Sequence, residues 1–164
     1  MEHRSISELQ IGKAGEYLVC AELILKGFIA FPSEQGLRYD VVVDIEGKLI
    51  RIQVKTTREY RFRPQRKTQI SSYLFHPKRC GKGGMKCYTE MDIDIMAFVA
   101  IKDSVIGYLP VNAISKTMMF RSRKCEYVGN RPGIYLEDCT FEKALKTIRG
   151  EENGSHTKTS KKID

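Results

Sequence analysis

Arg38-Tyr39-Asp40-Val41-Val42-Val43-Asp44-Ile45-Glu46-Gly47-Lys48-Leu49-Ile50-Arg51-Ile52-Gln53-Val54-Lys55-Thr56-Thr57 reads as two strands around a tight turn. Residues 39–45 are an apolar, β-branched run with one acid near its start, and Glu46-Gly47 supplies the turn. From Lys48 onward the chain alternates. Leu49, Arg51, Gln53 and Lys55 fall on one face, and Ile50, Ile52, Val54 and Thr56 on the other. That is the pattern of a β-hairpin. Antiparallel pairing about residue 46 returns Gln53 and Lys55, late in the second strand, to Asp40, early in the first. Residues two apart share a face, so an acid, a side-chain carbonyl and an amine converge at one end of a sheet.

Such a constellation suits metal-assisted hydrolysis of a phosphodiester. Mg²⁺ takes oxygen ligands, a few from protein and the rest from water and substrate phosphate. Asp40 is the expected anionic ligand, and Gln53 Oε1 and the Val54 carbonyl are candidate neutral oxygens. Lys55 is placed to hold the attacking water and to stabilise charge on the phosphoryl oxygens.

Tyr39-Asp40 followed by Gln53-Val54-Lys55 resembles the PD-(D/E)XK nuclease superfamily, the restriction-endonuclease-like fold. Tyr39 stands in place of the Pro of the name, and Gln53 in place of the second acid. The Gln variant is similar to the branch that holds small intron-associated homing endonucleases and some resolvase-like relatives. The resemblance implies a mixed β-sheet flanked by helices, Mg²⁺ as cofactor with Mn²⁺ as a substitute, and double-stranded DNA as substrate. It also implies that a Glu on the first helix reaches the metal site. Glu16, in Gly12-Lys13-Ala14-Gly15-Glu16-Tyr17, occupies that position and offers a second acid beside Asp40. Tyr88, Asp92 or Asp94, Tyr108 and Pro110 resemble the later half of the same family.

The chain of 164 residues is long enough for one domain with a substantial core, and its net charge of +8 suggests a polyanionic partner. No apolar run approaches a membrane span, and no signal-peptide pattern opens the chain. Cysteines at 20, 80, 87, 125 and 139 read as reduced thiols of a cytoplasmic protein.

The first helix is expected from a cap at Ser5 or Ser7, with capping-box spacing in Ser5-Ile6-Ser7-Glu8, to about Lys26, stopped by Gly27. Its apolar stripe reads as Leu9, Ala14, Leu18, Ala21 and Leu25. Gly12 and Gly15 each cost about 1 kcal/mol of helix propensity relative to Ala and allow a close approach by another backbone or a DNA strand. A strand is expected over 28–31, with a loop over 32–36 in which Ser33 and Glu34 face solvent.

Residues 58–88 hold Arg58, Arg61, Arg63, Arg66, Lys67, Lys78, Arg79, Lys82 and Lys86 against a single acid, Glu59. Cations neutralise phosphates, and the interleaved Tyr60, Phe62, Tyr73 and Phe75 could stack or wedge, so this insertion at about 58–90 is the expected DNA contact. Gly81, Gly83 and Gly84 suggest a flexible tip. His76, Cys80 and Cys87 miss the recognised zinc spacings and read as a loop His with unbound thiols. Ile95 to Ile101 reads as a buried central strand, with Asp92 and Asp94 read as structural residues at its start, or alternatively as supports of the basic groove or the metal. Val105 to Pro110 is a second strand. A short helix is expected over 111–116, a strand or loop over 118–123, a turn over 129–133, and a helix over 141–149 capped by Thr140. Residues 1–150 then form a single domain, and 151–164 read as a disordered tail.

Scattered histidines and the lack of Gly-x-Ser-x-Gly argue against a hydrolase triad, and no Gly-rich phosphate loop with Lys is present. The leading expectation is a metal-dependent, site-specific DNA endonuclease acting as a homodimer or homotetramer. The alternatives are a Holliday-junction resolvase, a DNA-binding module with a decayed site, and a basic α/β protein that binds RNA.

Overall fold

The computed structural model describes residues 5–61, 71–81, 83–125 and 133–150. Arg63, Arg66, Lys67, Phe62, Lys82, most of the expected turn at 129–133, the C-terminal tail and the Cys80 side chain lie outside the described residues. Helix α1 spans Glu8–Leu25 and helix α2 Phe141–Ile148. The strands are β1 (Ile29–Pro32), β2 (Val41–Ile45), β3 (Lys48–Thr57), β4 (Tyr73–Phe75), β5 (Lys78–Gly81), β6 (Gly84–Cys87), β7 (Ile95–Ala100), β8 (Val105–Pro110), β9 (Met118–Arg121) and β10 (Ile134–Tyr135). The main sheet has the order β1-β2-β3-β7-β8. All its pairs are antiparallel except the central one, β3 with β7.

The expected hairpin is present. Glu46 and Gly47 both have positive φ, 55° and 83°, the primed turn whose twist matches the flanking strands. The Asp44 carboxylate accepts from the Gly47 N–H at 2.9 Å. Register follows: Val41 faces Ile52 and Val43 faces Ile50.

Alternation along β3 and β7 sends side chains into two layers. Ile50, Ile52, Val54, Ile95, Ala97 and Val99 pack under α1 and α2, against Val19, Leu23 and Phe141. Met96, Phe98 and Ala100 pack on the other face against Tyr73, Phe75 and Phe120. That second layer is a three-stranded sheet in the order β10-β9-β4. Phe98, Phe75 and Phe120 form a ring cluster with centroids 4.7–5.9 Å apart. Each such ring contributes about 1.5–3 kcal/mol on burial, which seats the small sheet firmly.

Several sequence expectations change. Ser7, not Ser5, caps α1, in a reciprocal box with Gln10. The buried face of α1 is Ile11, Gly15, Val19, Cys20 and Leu23. The stripe of Leu9, Ala14, Leu18, Ala21 and Leu25 is exposed, with Leu9 and Leu25 at 84% and 88%. The helix is apolar on two sides, and periodicity alone could not say which one meets the sheet. Tyr73 and Phe75 are core residues of β4 rather than rings presented to DNA, because β4 pairs with the distant β9. The expected helix at 111–116 is only a 3₁₀ turn, Val111–Ala113. No helix among the described residues is long and apolar enough to cross a membrane.

Candidate active site

β2 begins one residue after Asp40, and this fixes the site. The Asp40 N–H still donates to the Ile52 carbonyl at 2.8 Å. Beyond that bond β3 continues without β2 beside it. In a strand the N–H and C=O of one residue point the same way, so those of Val54, two residues past Ile52, face the vacated side. The Asp40 carboxylate fills part of it, with Oδ2 accepting from the Val54 N–H at 2.8 Å. Ser33 holds the preceding turn in place, its N–H donating to the Asp40 carbonyl at 2.9 Å and its hydroxyl to the Tyr39 carbonyl.

Gln53 is buried, and its amide nitrogen donates both to Asp40 Oδ2 and, at 3.3 Å, to the Val54 carbonyl. The amide N–H₂ therefore sits between two oxygens that the sequence suggested for a cation, with the nitrogen rather than Oε1 turned to them. A donor flanked by a carboxylate and a carbonyl occupies the kind of position a hard cation takes. Rotation about the last Gln53 torsion would present Oε1 instead. Glu16 comes from the helix layer, and its charge is close enough to help raise the Asp40 pKa. Among the described residues no three His, Cys, Asp or Glu side chains gather to hold a metal. The oxygen set that fits a divalent ion is thus mixed: Asp40, Glu16, the Val54 carbonyl and the Gln53 amide.

Gly15 brings Glu16 close. A Cβ at residue 15 would lie 1.9 Å from Thr56 Oγ1, so only glycine lets α1 lie this near β3. Nothing lies within 4 Å of the corresponding position at Gly12. Lys13, a residue that the sequence reading passed over, bonds Glu16 Oε2 at 2.7 Å and is drawn to a raised pKa by that bond. Its i,i+3 spacing was the available signal. Lys55 lies over the Tyr88 ring, 5.5 Å from the centroid. The Tyr88 phenol is pushed up to about 12, chiefly by burial and further by the Asp40 charge.

Burial also raises the Asp40 pKa, and Glu16 adds to it; the Val54 N–H, Lys55 and Lys13 oppose. The carboxyl therefore holds its proton more tightly folded than unfolded. It favours the fold below its ordinary value of 3.8, and that contribution is lost as pH rises through the higher folded value. At neutral pH without metal the ionised Asp40 is a cost. Asp40→Asn should accordingly raise Tm at pH 7 in EDTA and leave it unchanged near pH 3. Equal melting of the two proteins at pH 7 would refute this account of the carboxylate.

The two acids before β7 are structural latches, as expected. Asp94 takes Arg51 through both side-chain oxygens, at 2.9 and 3.0 Å, and also accepts the Arg51 backbone N–H. Asp92, with a side chain only 1% exposed, pairs with Arg38 and with Arg79. Of the other basic residues expected to meet DNA, Arg58, Arg61 and Lys86 are exposed, while Lys78 and Arg79 are half-buried in the β5–β6 hairpin.

The chain's fold is that of a solved bacterial homing endonuclease, I-Ssp6803I. The two superpose with a TM-score of 0.62 at 17% identity, over 90% of this chain and all of that one. No curated protein sequence matches the chain. The sequence model of the PD-(D/E)XK endonucleases matches residues 6–129, a span that includes Glu16, Asp40, Gln53 and Lys55. The hairpin, the acid at its open end and the lysine two residues past Gln53 thus have their explanation: this chain belongs to the PD-(D/E)XK endonuclease family.

Proposed function

We propose that the chain is a divalent-metal-dependent DNA endonuclease of the site-specific, homing type, with Mg²⁺ as its ion and Mn²⁺ as a working substitute. The observation that carries this reading is the Gln53 amide nitrogen lodged between Asp40 Oδ2 and the Val54 carbonyl, with Lys55 two residues along the same face. Asp40 and Glu16 would hold the ion, with the Val54 carbonyl and a reoriented Gln53 amide completing the protein ligands. A bound divalent ion supplies Lewis-acid stabilisation of the phosphoryl oxygens. Lys55, steadied against Tyr88, orients the attacking water and meets charge that develops on the phosphate. Lys13 neutralises Glu16 when no ion is bound and must release it when one binds. Exposed cations of the 58–90 insertion, Arg58, Arg61 and Lys86 among them, would contact the DNA backbone.

The test is cleavage of a supercoiled plasmid library and a labelled four-way junction in Mg²⁺, Mn²⁺ and EDTA. Metal-dependent cutting of duplex at defined sites supports the homing-type reading. Cutting of the junction alone would make it a resolvase, and salt-sensitive binding without cutting would make it a DNA-binding module.

One site cuts one strand, so double-strand cleavage calls for a homodimer or homotetramer. The uncovered stripe of α1 is suited to self-association. It carries no charge at Ala14, Leu18, Ala21 or Leu25, and α1 as a whole has three acids and one lysine in a chain of net +8. Two copies could meet there without opposing their basic surfaces. Leu18→Glu should weaken self-association by roughly a hundredfold, because an unpaired charge buried in an apolar contact costs several kcal/mol. Sedimentation should show monomer, and plasmid assays nicks in place of double-strand breaks. An unchanged sedimentation profile would exclude this face.

A further inference from the structure

Asp92 does more than start a strand. Its buried carboxylate is shared out completely. Oδ2 accepts from the Thr89 N–H and the Thr89 hydroxyl, both at 3.1 Å. Oδ1 takes Arg38, and Arg79 Nη2 at 3.5 Å. One negative charge thus gathers two guanidiniums and leaves a net positive site. Arg38 keeps most of its donors for solvent, since its side chain is 58% exposed and it reaches Asp92 through Nη1 alone. Arg79 approaches through one terminal nitrogen, and its Nε is buried with no partner among the described residues.

The location gives this pair its meaning. Arg38 lies two residues before Asp40, and Arg79 rises from β5 across the sequence insertion. Nearby is Tyr88, whose ring carries Lys55 and whose phenol feels Asp40, Arg79 and Asp92 together. The guanidinium pair therefore sits at the rim of the candidate active site, held by a carboxylate too buried to contact a ligand itself. The solvent-facing donors of the planar Arg38 guanidinium match the paired oxygens of a phosphodiester, with the half-buried Arg79 adding charge behind them.

We propose that Arg38 and Arg79, gathered by Asp92, form a phosphate subsite that grips the DNA backbone beside the phosphate to be cut, with Asp92 as its positioning residue. Contacts of this kind set the register of the duplex over the site without reading sequence. The subsite also ties the β5–β6 hairpin to the catalytic end of the main sheet, so seating of the backbone and placement of the hairpin occur together.

This proposal rests on the nuclease reading for its purpose, but its test does not need cleavage. Binding of the full-length chain to duplex DNA is measured in EDTA as a function of salt. Arg38→Ala leaves Asp92 its Thr89 and Arg79 partners and, once circular dichroism shows it folded, should lower the salt slope by about one and weaken binding several-fold on every sequence. Arg38→Lys should restore the slope but not the full affinity, because a point charge lacks the fork. Asp92→Asn should lower the slope as well, although the one substituted atom is too buried to touch DNA. Where the wild type cuts, Arg38→Ala should raise KM and leave kcat within a few-fold. An unchanged slope in Arg38→Ala, or no salt-dependent DNA binding by the wild type, overturns the subsite. Wild-type binding with the expected slopes but no metal-dependent cutting overturns the nuclease reading and leaves the subsite standing.

Discussion

Asp40→Ala is expected to abolish cleavage while leaving the fold standing. Asp40 Oδ2 is the point on which the Val54 N–H and the Gln53 amide converge, and Asp40 is the acid nearest the open end of β2. On the proposed assignment, removing it takes away one of two anionic ligands, leaving Glu16, in a site where Gln53 already stands in place of the acid of the family motif. A loss of roughly a thousandfold or more in kcat/KM is expected, larger than that for a single electrostatic contact. Lys55→Ala should cost about 10²–10³-fold, mostly in kcat, since Lys55 acts on charge that appears only in the transition state. The two variants separate by metal titration. Asp40→Ala should lose binding of Mn²⁺ followed by calorimetry, and Lys55→Ala should retain it. Near wild-type cutting by Asp40→Ala would remove this end of the sheet from consideration as the active site.

The second large effect concerns stability. Gly15→Ala adds a methyl whose carbon would sit 1.9 Å from Thr56 Oγ1 and 3.0 Å from Thr56 Cβ and Cγ2. Alanine gains about 1 kcal/mol of helix propensity over glycine. Overpacking into a well-filled contact costs about 1–3 kcal/mol, and here the obstruction is a β-branched side chain in a central strand. The clash should win, with a net loss of about 1–2 kcal/mol in denaturant titrations and a drop in cutting as Glu16 moves off its position. Thr56→Ala alone should be nearly neutral, because Thr56 Oγ1 is buried without a partner among the described residues. The double variant should recover most of the loss, leaving only the 3.0 Å contact with Cβ to relax. Additive effects in the cycle would mean that the helix and strand do not meet as described.

Much of this was legible in the sequence, and the parts that were not share a cause. The hairpin could be read because strand period and turn chemistry are local, and its register then forced Asp40, Gln53 and Lys55 together. Thr140 announced α2 in the same local way. The buried face of α1 could not be read, since Leu18 and Val19 both belong to apolar stripes and only the sheet decides between them. Sequence alone leaves Tyr73 and Phe75 among the rings that could stack on DNA, because the partner that buries them, β9, lies more than forty residues downstream. The Arg38–Asp92 and Arg51–Asp94 latches join residues equally remote in sequence. Local pattern locates the chemistry; long-range pairing decides what surrounds it.

The single parallel pairing in the main sheet, β3 with β7, has a consequence for how such a protein can change. A parallel neighbour cannot be reached by a tight turn, so the chain must leave Thr57 and travel before returning at Ile95. Everything placed in that excursion, including the β5–β6 hairpin and nine of the chain's 28 lysines and arginines, is excursion length as far as chain entropy is concerned. The entropy of closing a loop grows only with the logarithm of its length, so doubling the excursion costs about 0.6 kcal/mol. Insertions there leave β2, β3 and the residues at their open end unmoved. A lineage can therefore lengthen, shorten or replace this segment while β2 and β3 stay in register.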